Sequence, residues 1–218
     1  MLYPIQYISQ GETVDQHLQN IKAVCTAGGR WIQLRLKNVE HKVYLEAAKQ
    51  CKIICKQHNA TLIINDNVPV AHQSDADGVH LGLGDINPKE AREILGAHKI
   101  IGGTANSLGD CIQHISDGVN YIGLGPFRFT TTKKNLSPVL GVEGYEKILH
   151  ALQSSTQQVP IVAIGGIQLN DISALKNTGI SGIALSGFIS NISTEELTNR
   201  LKQMTQLLNS SKKEMLWH

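Results

Sequence analysis

The chain has 218 residues, of which 41% are hydrophobic and 17% charged, and its formal net charge at pH 7 is +2. This composition is ordinary for a globular chain with a sizeable core, and the net charge is too small to favour a nucleic-acid partner or an anionic membrane surface. No apolar run reaches membrane-spanning length and no signal-like segment opens the sequence, so we expect a cytoplasmic protein that acts on small molecules. The sequence leaves a homo-oligomer open.

Apolar β-type runs alternate with amphipathic segments along the chain. The predicted strands are Ile5–Ser9, Trp31–Lys37, Thr61–Asn65, Gly78–Leu81, Lys99–Gly103, Tyr121–Leu124, Ile161–Ile164 and Gly182–Leu185. The predicted helices are Val14–Ala27, Lys42–Gln57, Pro69–Ser74, Pro88–Leu95, Leu108–Ile115, Glu143–Leu152, Asn170–Asn177 and Thr194–Leu208.

Eight strands, each followed by a helix, are typical of a single (β/α)8 TIM barrel, which we predict over residues 1–208 with a polar, frayed tail at 209–218. A doubly wound open sheet alternates in the same way. Polar residues stand at the C-terminal end of nearly every predicted strand, however, and a barrel gathers such residues in one ring. An open sheet would concentrate them at its switch point, so the pattern favours the barrel.

The four cysteines are scattered through predicted helices at Cys25, Cys51, Cys55 and Cys111. Two of them share a helix face, but two thiols without a neighbouring His or Cys make a poor zinc site. We expect all four to be reduced and buried or half-buried.

The second strand places two cations and an amide on one face. Period-two alternation puts Gln33, Arg35 and Lys37 on the face opposite Leu34 and Leu36. This set suits a polyphosphate, and the alternative is the solvated face of an edge strand. A barrel has no edge strands, so accepting the barrel weakens that alternative.

Two carboxylates follow neighbouring strands at Asp66 and Asp85. Magnesium is usually held by one or two carboxylates together with substrate phosphates and water, so these acids fit a magnesium–pyrophosphate site. An Asp after a strand is also a common turn or helix cap, which is the alternative for each residue alone. We expect His80, in the middle of its strand, to be a hydrogen-bonded interior histidine.

The loop after the sixth strand is rich in donors. It carries three hydroxyls at Thr130, Thr131 and Thr132 and two ammonium groups at Lys133 and Lys134, with no carboxylate nearby. Such a loop is suited to phosphate or pyrophosphate, and the alternative is a solvated basic loop.

Further donors follow the fifth, seventh and eighth strands. The fifth leads into Thr104, and the last two end in turns at Gly165-Gly166 and Ser186-Gly187. Backbone N–H groups of turns after strands seven and eight form the common phosphate site of barrels.

Taken together, these segments closely resemble the thiamine-phosphate synthase family from about residue 5 to residue 190. The resemblance is carried by Gln33-x-Arg35-x-Lys37, Asn65-Asp66, Gly78-Val79-His80-Leu81-Gly82 followed by Asp85, Gly125-Pro126 with Thr130-x-Thr132-Lys133-Lys134, Gly165-Gly166-Ile167 and the turn at Ser186. It implies a (β/α)8 barrel that couples 4-amino-2-methyl-5-hydroxymethylpyrimidine diphosphate with thiazole phosphate. The products would be thiamine phosphate and pyrophosphate. The implied cofactor is Mg²⁺.

The resemblance also implies roles for individual residues. Those implied to hold the pyrimidine diphosphate are Gln33, Arg35, Lys37, Asn65 and Lys133, with Arg35, Lys37 and Lys133 stabilising the leaving pyrophosphate. Those implied to bind magnesium are Asp66 and Asp85. Thr104 would lie near the pyrimidine, and the implied contacts to the thiazole phosphate are Thr130, Thr132, Gly166, Leu185 and Ser186.

Two single residues and one loop depart from the family pattern. Leu36 stands where the family often has glutamate, but its side chain is expected to point away from the mouth. The loop at 127–132 lacks two usual prolines and adds Arg128, to which the sequence assigns no role. Asn106 replaces a common histidine, whose absence argues against the related thiazole tautomerase as an alternative. A non-catalytic phosphate-binding barrel is a second alternative, and it leaves the pair of acids unexplained.

Overall fold

Eight parallel strands close into a barrel, with each strand pairing to its neighbours in chain order and the last pairing to the first. The computed structural model describes residues 3–129, 138–153 and 158–210. The strands are β1 (Ile5–Ile8), β2 (Trp31–Leu34), β3 (Thr61–Asn65), β4 (Gly78–Leu81), β5 (Ile100–Ala105), β6 (Tyr121–Leu124), β7 (Ile161–Ile164) and β8 (Gly182–Leu185). The predicted (β/α)8 barrel is confirmed.

One α-helix follows each strand and packs on the outside of the barrel. The helices are α1 (Val14–Thr26), α2 (His41–Gln57), α3 (Val68–Gln73), α4 (Pro88–Leu95), α5 (Leu108–Ser116), α6 (Gly141–Leu152), α7 (Ile172–Asn177) and α8 (Thr194–Asn209). Two short 3-10 turns, Leu169–Asp171 and Gly187–Ile189, precede the last two helices. Within the described ranges, no helix is long and apolar enough to cross a membrane.

Local sequence explains where the helices begin. The side chain of Thr13 caps α1 by accepting from the backbone of Gln16, and Asn87 caps α4 ahead of a proline in its first turn. Ser107 and Asp110 form a reciprocal capping box at the start of α5. These caps fix the points at which the chain leaves the mouth of the barrel.

The core has two layers. The larger lies between the strands and the surrounding helices, and it contains all four cysteines as free thiols with no exposed surface. The smaller layer fills the barrel itself and includes Trp31 and Tyr121, whose rings pack edge to face with centroids 4.8 Å apart. A Cβ at Gly102 would lie 2.2 Å from the Tyr121 ring, so β5 needs glycine there to admit the aromatic pair.

Three strands have bounds that differ from the prediction, and the first of these, β1, ends at Ile8 instead of Ser9. β2 ends at Leu34 instead of Lys37, because beyond Leu34 the backbone N–H of Arg35 donates to the Ser9 hydroxyl instead of continuing the ladder. β5 begins at Ile100 instead of Lys99 and extends two residues further than predicted, to Ala105. At the C-terminal end, α8 runs to Asn209 and residues 211–218 lie outside the described part of the chain, so the frayed tail stays a prediction.

Candidate active site

The carboxyl ends of the strands surround a cavity of ≈ 390 Å³ at the mouth of the barrel. Seven of the predicted substrate-binding residues line it: Gln33, Arg35, Asn65, Thr104, Gly166, Leu185 and Ser186. A second cavity of ≈ 370 Å³ shares Arg35 and Ser186 with the first and adds Lys37. The predicted residues Thr130, Thr132 and Lys133 lie outside the described residues.

A buried hydrogen-bond network supports the floor of the main cavity. Its centre is the fully buried Tyr121 hydroxyl, which lies 3.1 Å from Gln6 Nε2 and 3.0 Å from His80 Nδ1. The other nitrogen of His80, Nε2, lies 3.0 Å from the hydroxyl of Thr104, which lines the cavity. Burial raises the pKa of Tyr121, so its hydroxyl stays protonated. The interior, hydrogen-bonded role predicted for His80 agrees with this geometry.

Gln33 presents an amide donor at the floor of the cavity. The residue is 1% exposed, and its side chain interacts with the Tyr121 hydroxyl. Within the described ranges Nε2 makes no hydrogen bond of normal geometry, so a ligand acceptor in the cavity would improve its hydrogen bonding.

Arg35 brings a cation to the rim between the two cavities. Its backbone is held by Ser9, whose Oγ accepts from the Arg35 N–H at 2.9 Å and lies 2.7 Å from Nδ1 of the buried His17. In the described part of the chain, the guanidinium forms no ion pair. A half-buried guanidinium without a carboxylate partner is suited to bind an anion.

The predicted metal ligands lie together beside Lys37. Lys37 forms an ion pair with Asp66, so Lys37 points toward the acids instead of sharing the main cavity with Gln33 and Arg35 as the strand pattern predicted. Asp85 lies close enough to Asp66 for their carboxyl groups to interact directly. Asp66 has a positive φ of 62°, a conformation that Asp tolerates better than most residues.

The electrostatics of the two acids fit a divalent cation. Burial raises the pKa of Asp85, and the neighbouring Asp66 carboxyl raises it further, against the opposing effect of the Gly82 N–H that donates to Asp85 Oδ2 at 2.6 Å. Among the described residues, no group of three or more His, Cys, Asp or Glu could hold a metal ion. Magnesium is usually held by one or two carboxylates together with substrate phosphates and water, so a pair of acids fits the magnesium site that the sequence predicts.

The opposite rim of the cavity consists of backbone N–H groups. Gly165 and Gly166 have φ values of +99° and +67°, which glycine adopts without strain. In the described ranges, the N–H groups of Gly166, Ile167 and Ser186 make no hydrogen bond, and all three residues line the cavity. Unsatisfied amides from adjacent turns are suited to bind an anion, and the phosphate site after β7 and β8 stays a prediction.

Three residues at the mouth were missed or left without a role by the sequence. Arg128 forms a bidentate ion pair with Asp171, which lies 43 positions further along the chain. Asn106 donates its side-chain amide to the carbonyl of Gly125 and lines the cavity. The added cation at Arg128 was a sequence signal, but nothing in its spacing pointed to Asp171.

A closed (β/α)8 barrel with a cationic rim after β2–β4 and an amide rim after β7 and β8 at its mouth is typical of an enzyme that acts on small molecules. A family model described as thiamine monophosphate synthase matches residues 2–189. A thiamine-phosphate synthase of Flavobacterium johnsoniae is 52% identical over 189 residues, covering 87% of this chain and 89% of that protein. A thiamine-phosphate synthase of Flavobacterium psychrophilum is 47% identical over 207 residues, covering 95% of this chain and 98% of that protein.

A solved structure supports the same assignment. The thiamine phosphate pyrophosphorylase from Pyrococcus furiosus has a TM-score of 0.81 to this chain at 26% sequence identity, covering 94% of this chain and 96% of that one. The chain therefore belongs to the thiamine-phosphate synthase family, and it is a transferase of thiamine biosynthesis.

Proposed function

We propose that the protein couples 4-amino-2-methyl-5-hydroxymethylpyrimidine diphosphate with thiazole phosphate, giving thiamine phosphate and pyrophosphate, with Mg²⁺ as cofactor. One observation supports this proposal: the mouth of the barrel, with its two cavities, has two rims of different chemistry. Cations and two acids follow β2, β3 and β4, and uncharged backbone amides follow β7 and β8. A diphosphate that binds metal and a simple phosphate are the two ligands that such rims distinguish.

The cationic rim would hold the diphosphate. Gln33 Nε2, Arg35 and Asn65 present donors to the cavity, and Asp66 and Asp85 would hold magnesium with Lys37 beside them. When bound, the ion would neutralise part of the negative charge of the diphosphate. Lys133 would add a further cation from the loop after β6, a role that stays a prediction.

The reaction breaks the C–O bond between the pyrimidine methylene and the diphosphate and forms a C–N bond to the thiazole nitrogen. Negative charge grows on the departing pyrophosphate, where Arg35, Lys37 and Lys133 would stabilise it more strongly in the transition state than in the ground state. No protein nucleophile is needed. The Thr104 hydroxyl, held by His80, would orient the pyrimidine at the centre of the cavity.

The amide rim would hold the second substrate. The N–H groups of Gly166, Ile167 and Ser186 can donate to the phosphate of thiazole phosphate, and Thr130 and Thr132 are the predicted additional contacts. Binding both substrates in one cavity aligns the thiazole nitrogen with the methylene carbon that it attacks.

An assay of the purified protein tests the proposal. With both substrates and MgCl₂ we expect thiamine phosphate and an equal amount of pyrophosphate, measured by chromatography. Omitting either substrate or adding excess EDTA should abolish the product. A complete mixture that yields no thiamine phosphate would show the proposal to be wrong, and isomerisation of the thiazole without the diphosphate would indicate the tautomerase instead. The cytoplasmic location expected from the sequence stays a prediction.

A further inference from the structure

Arg128 and Asp171 join the loop after β6 to the turn after β7. Arg128 Nη1 and Nη2 each donate to one carboxylate oxygen of Asp171, both at 2.8 Å, and Nη1 also donates to the carbonyl oxygen of Gly166 at 2.9 Å. The backbone N–H of Arg128 donates to the carbonyl of Gly165 at 3.0 Å. A bidentate guanidinium–carboxylate pair fixes the relative orientation of both partners, so this contact holds the two segments in register.

The same contacts determine which way the amides of the turn point. The carbonyl of Gly166 and the N–H of Ile167 belong to one planar trans peptide group, and they therefore point in opposite directions. Because Arg128 holds the carbonyl, the Ile167 N–H is directed away from the guanidinium, and Ile167 lines the cavity. Asp171 Oδ2 accepts from the next amide, that of Gln168, at 2.8 Å.

Charge gives Arg128 a second role. The Asp171 carboxylate contacts the turn directly through Gln168, and its negative charge would repel a phosphate bound to the neighbouring amides. The guanidinium neutralises this charge. The Arg128 side chain is 44% exposed, and exposed ion pairs contribute little to stability, so the contact has more effect on the turn than on the fold as a whole.

We propose that Arg128 is a positioning residue that acts through Gly166 and Asp171 and holds the turn at Gly165–Gln168 in the conformation that binds the phosphate of thiazole phosphate. This inference rests on the proposed function. It assigns Arg128 to one substrate only, since none of its described contacts reaches Arg35, Asp66 or Asp85.

Steady-state kinetics of Arg128→Ala test the proposal. We expect the KM for thiazole phosphate to rise about tenfold or more, with kcat and the KM for the diphosphate within about twofold of wild type and a small change in Tm. Arg128→Lys keeps the charge without the bidentate geometry, so its KM for thiazole phosphate should lie between those of wild type and Arg128→Ala. Asp171→Asn keeps an oxygen that can accept from the Gln168 amide, but it loses the charge. Because both substitutions remove the same ion pair, the rise in the KM for thiazole phosphate in the double variant should be smaller than the product of the two single rises.

Arg92→Ala is the matched control. Arg92 also donates to backbone carbonyls, those of Gly96 and Ala97, but it does so at the C-terminal end of α4, away from the mouth. Its replacement should leave every KM unchanged, whatever its effect on Tm. A similar rise in the KM for both substrates in Arg128→Ala, with a large loss in Tm, would indicate a general structural role and overturn the proposal.

A binding measurement separates this inference from the proposed function. Inorganic phosphate should raise the Tm of wild type and of Arg92→Ala more than that of Arg128→Ala, even if the wild-type protein forms no thiamine phosphate. If wild type forms thiamine phosphate and Arg128→Ala keeps both the wild-type KM for thiazole phosphate and the wild-type response to phosphate, the positioning role is wrong. The absence of any phosphate response in wild type would also overturn it.

Discussion

Replacing Tyr121 with Phe would remove the centre of the network beneath the cavity and leave the ring in place. The hydroxyl is fully buried and binds Gln6 Nε2 at 3.1 Å and His80 Nδ1 at 3.0 Å. An orphaned buried donor at Gln6 costs about 1–3 kcal/mol, and the hydrogen bond lost at His80 about 1 kcal/mol more. We therefore expect Tyr121→Phe to destabilise the protein by about 3 kcal/mol.

For a chain of this length, 1 kcal/mol corresponds to roughly 2–4 °C in Tm, so the melting temperature should fall by about 6–12 °C. Calorimetry of wild type and variant measures this directly, and Tyr3→Phe, at a residue 41% exposed, is the control with no expected change. Because His80 also holds Thr104 at the cavity, kcat/KM for the diphosphate should fall at the same time. A Tm within about 2 °C of wild type would mean that Gln6 finds another partner, and the network would then not support the site as described.

Three further substitutions test the two rims. Asp66→Asn should raise the Mg²⁺ concentration for half-maximal activity by about tenfold or more in a magnesium titration, whereas Asp75→Asn, at an exposed acid paired with Lys99, should not change it. Arg35→Lys should lower kcat/KM for the diphosphate about tenfold, equivalent to ~1.4 kcal/mol, and an unchanged value would place its guanidinium outside the site. Gly165→Ala should lower Tm more than Gly28→Ala in thermal melts, since both have φ near +100° but only at Gly165 would a Cβ meet a neighbour at 2.8 Å.

The barrel and most of its strand boundaries could be predicted because they follow from local pattern. Period-two apolar runs bounded by turn residues gave the bounds of β3, β4, β6, β7 and β8 correctly. The end of β2 could not be predicted in this way, because it depends on a hydroxyl at Ser9 that binds the Arg35 N–H from another strand. Alternation alone continues the strand to Lys37, whose observed partner is Asp66.

The candidate site likewise contains residues that local pattern predicts and contacts that it does not predict. Residues at strand ends, such as Gln33 and Thr104, were predicted because a barrel brings all carboxyl ends to one mouth. The pairing of Arg128 with Asp171 depends on side-chain geometry across 43 positions, and single-sequence patterns carry no information about such contacts. The burial of the Gln33 amide beside the Tyr121 hydroxyl likewise emerges only when the packing around Tyr121 is known.

The location of the cysteines makes the folded protein unreactive toward thiol reagents. Cys25, Cys51, Cys55 and Cys111 have no exposed surface, and burial raises the pKa of Cys111 to about 12. The pKa of Cys25 is raised by the hydrogen bond that its thiol donates to Cys55, together with burial. Since the thiolate is the reactive species, alkylation must wait for the outer layer of helices to open. The rate of labelling at each thiol therefore reports opening of α1, α2 or α5 separately. A substrate that binds only the folded state should slow labelling at each helix whose opening disrupts the site, which gives a measure of binding that needs no catalysis.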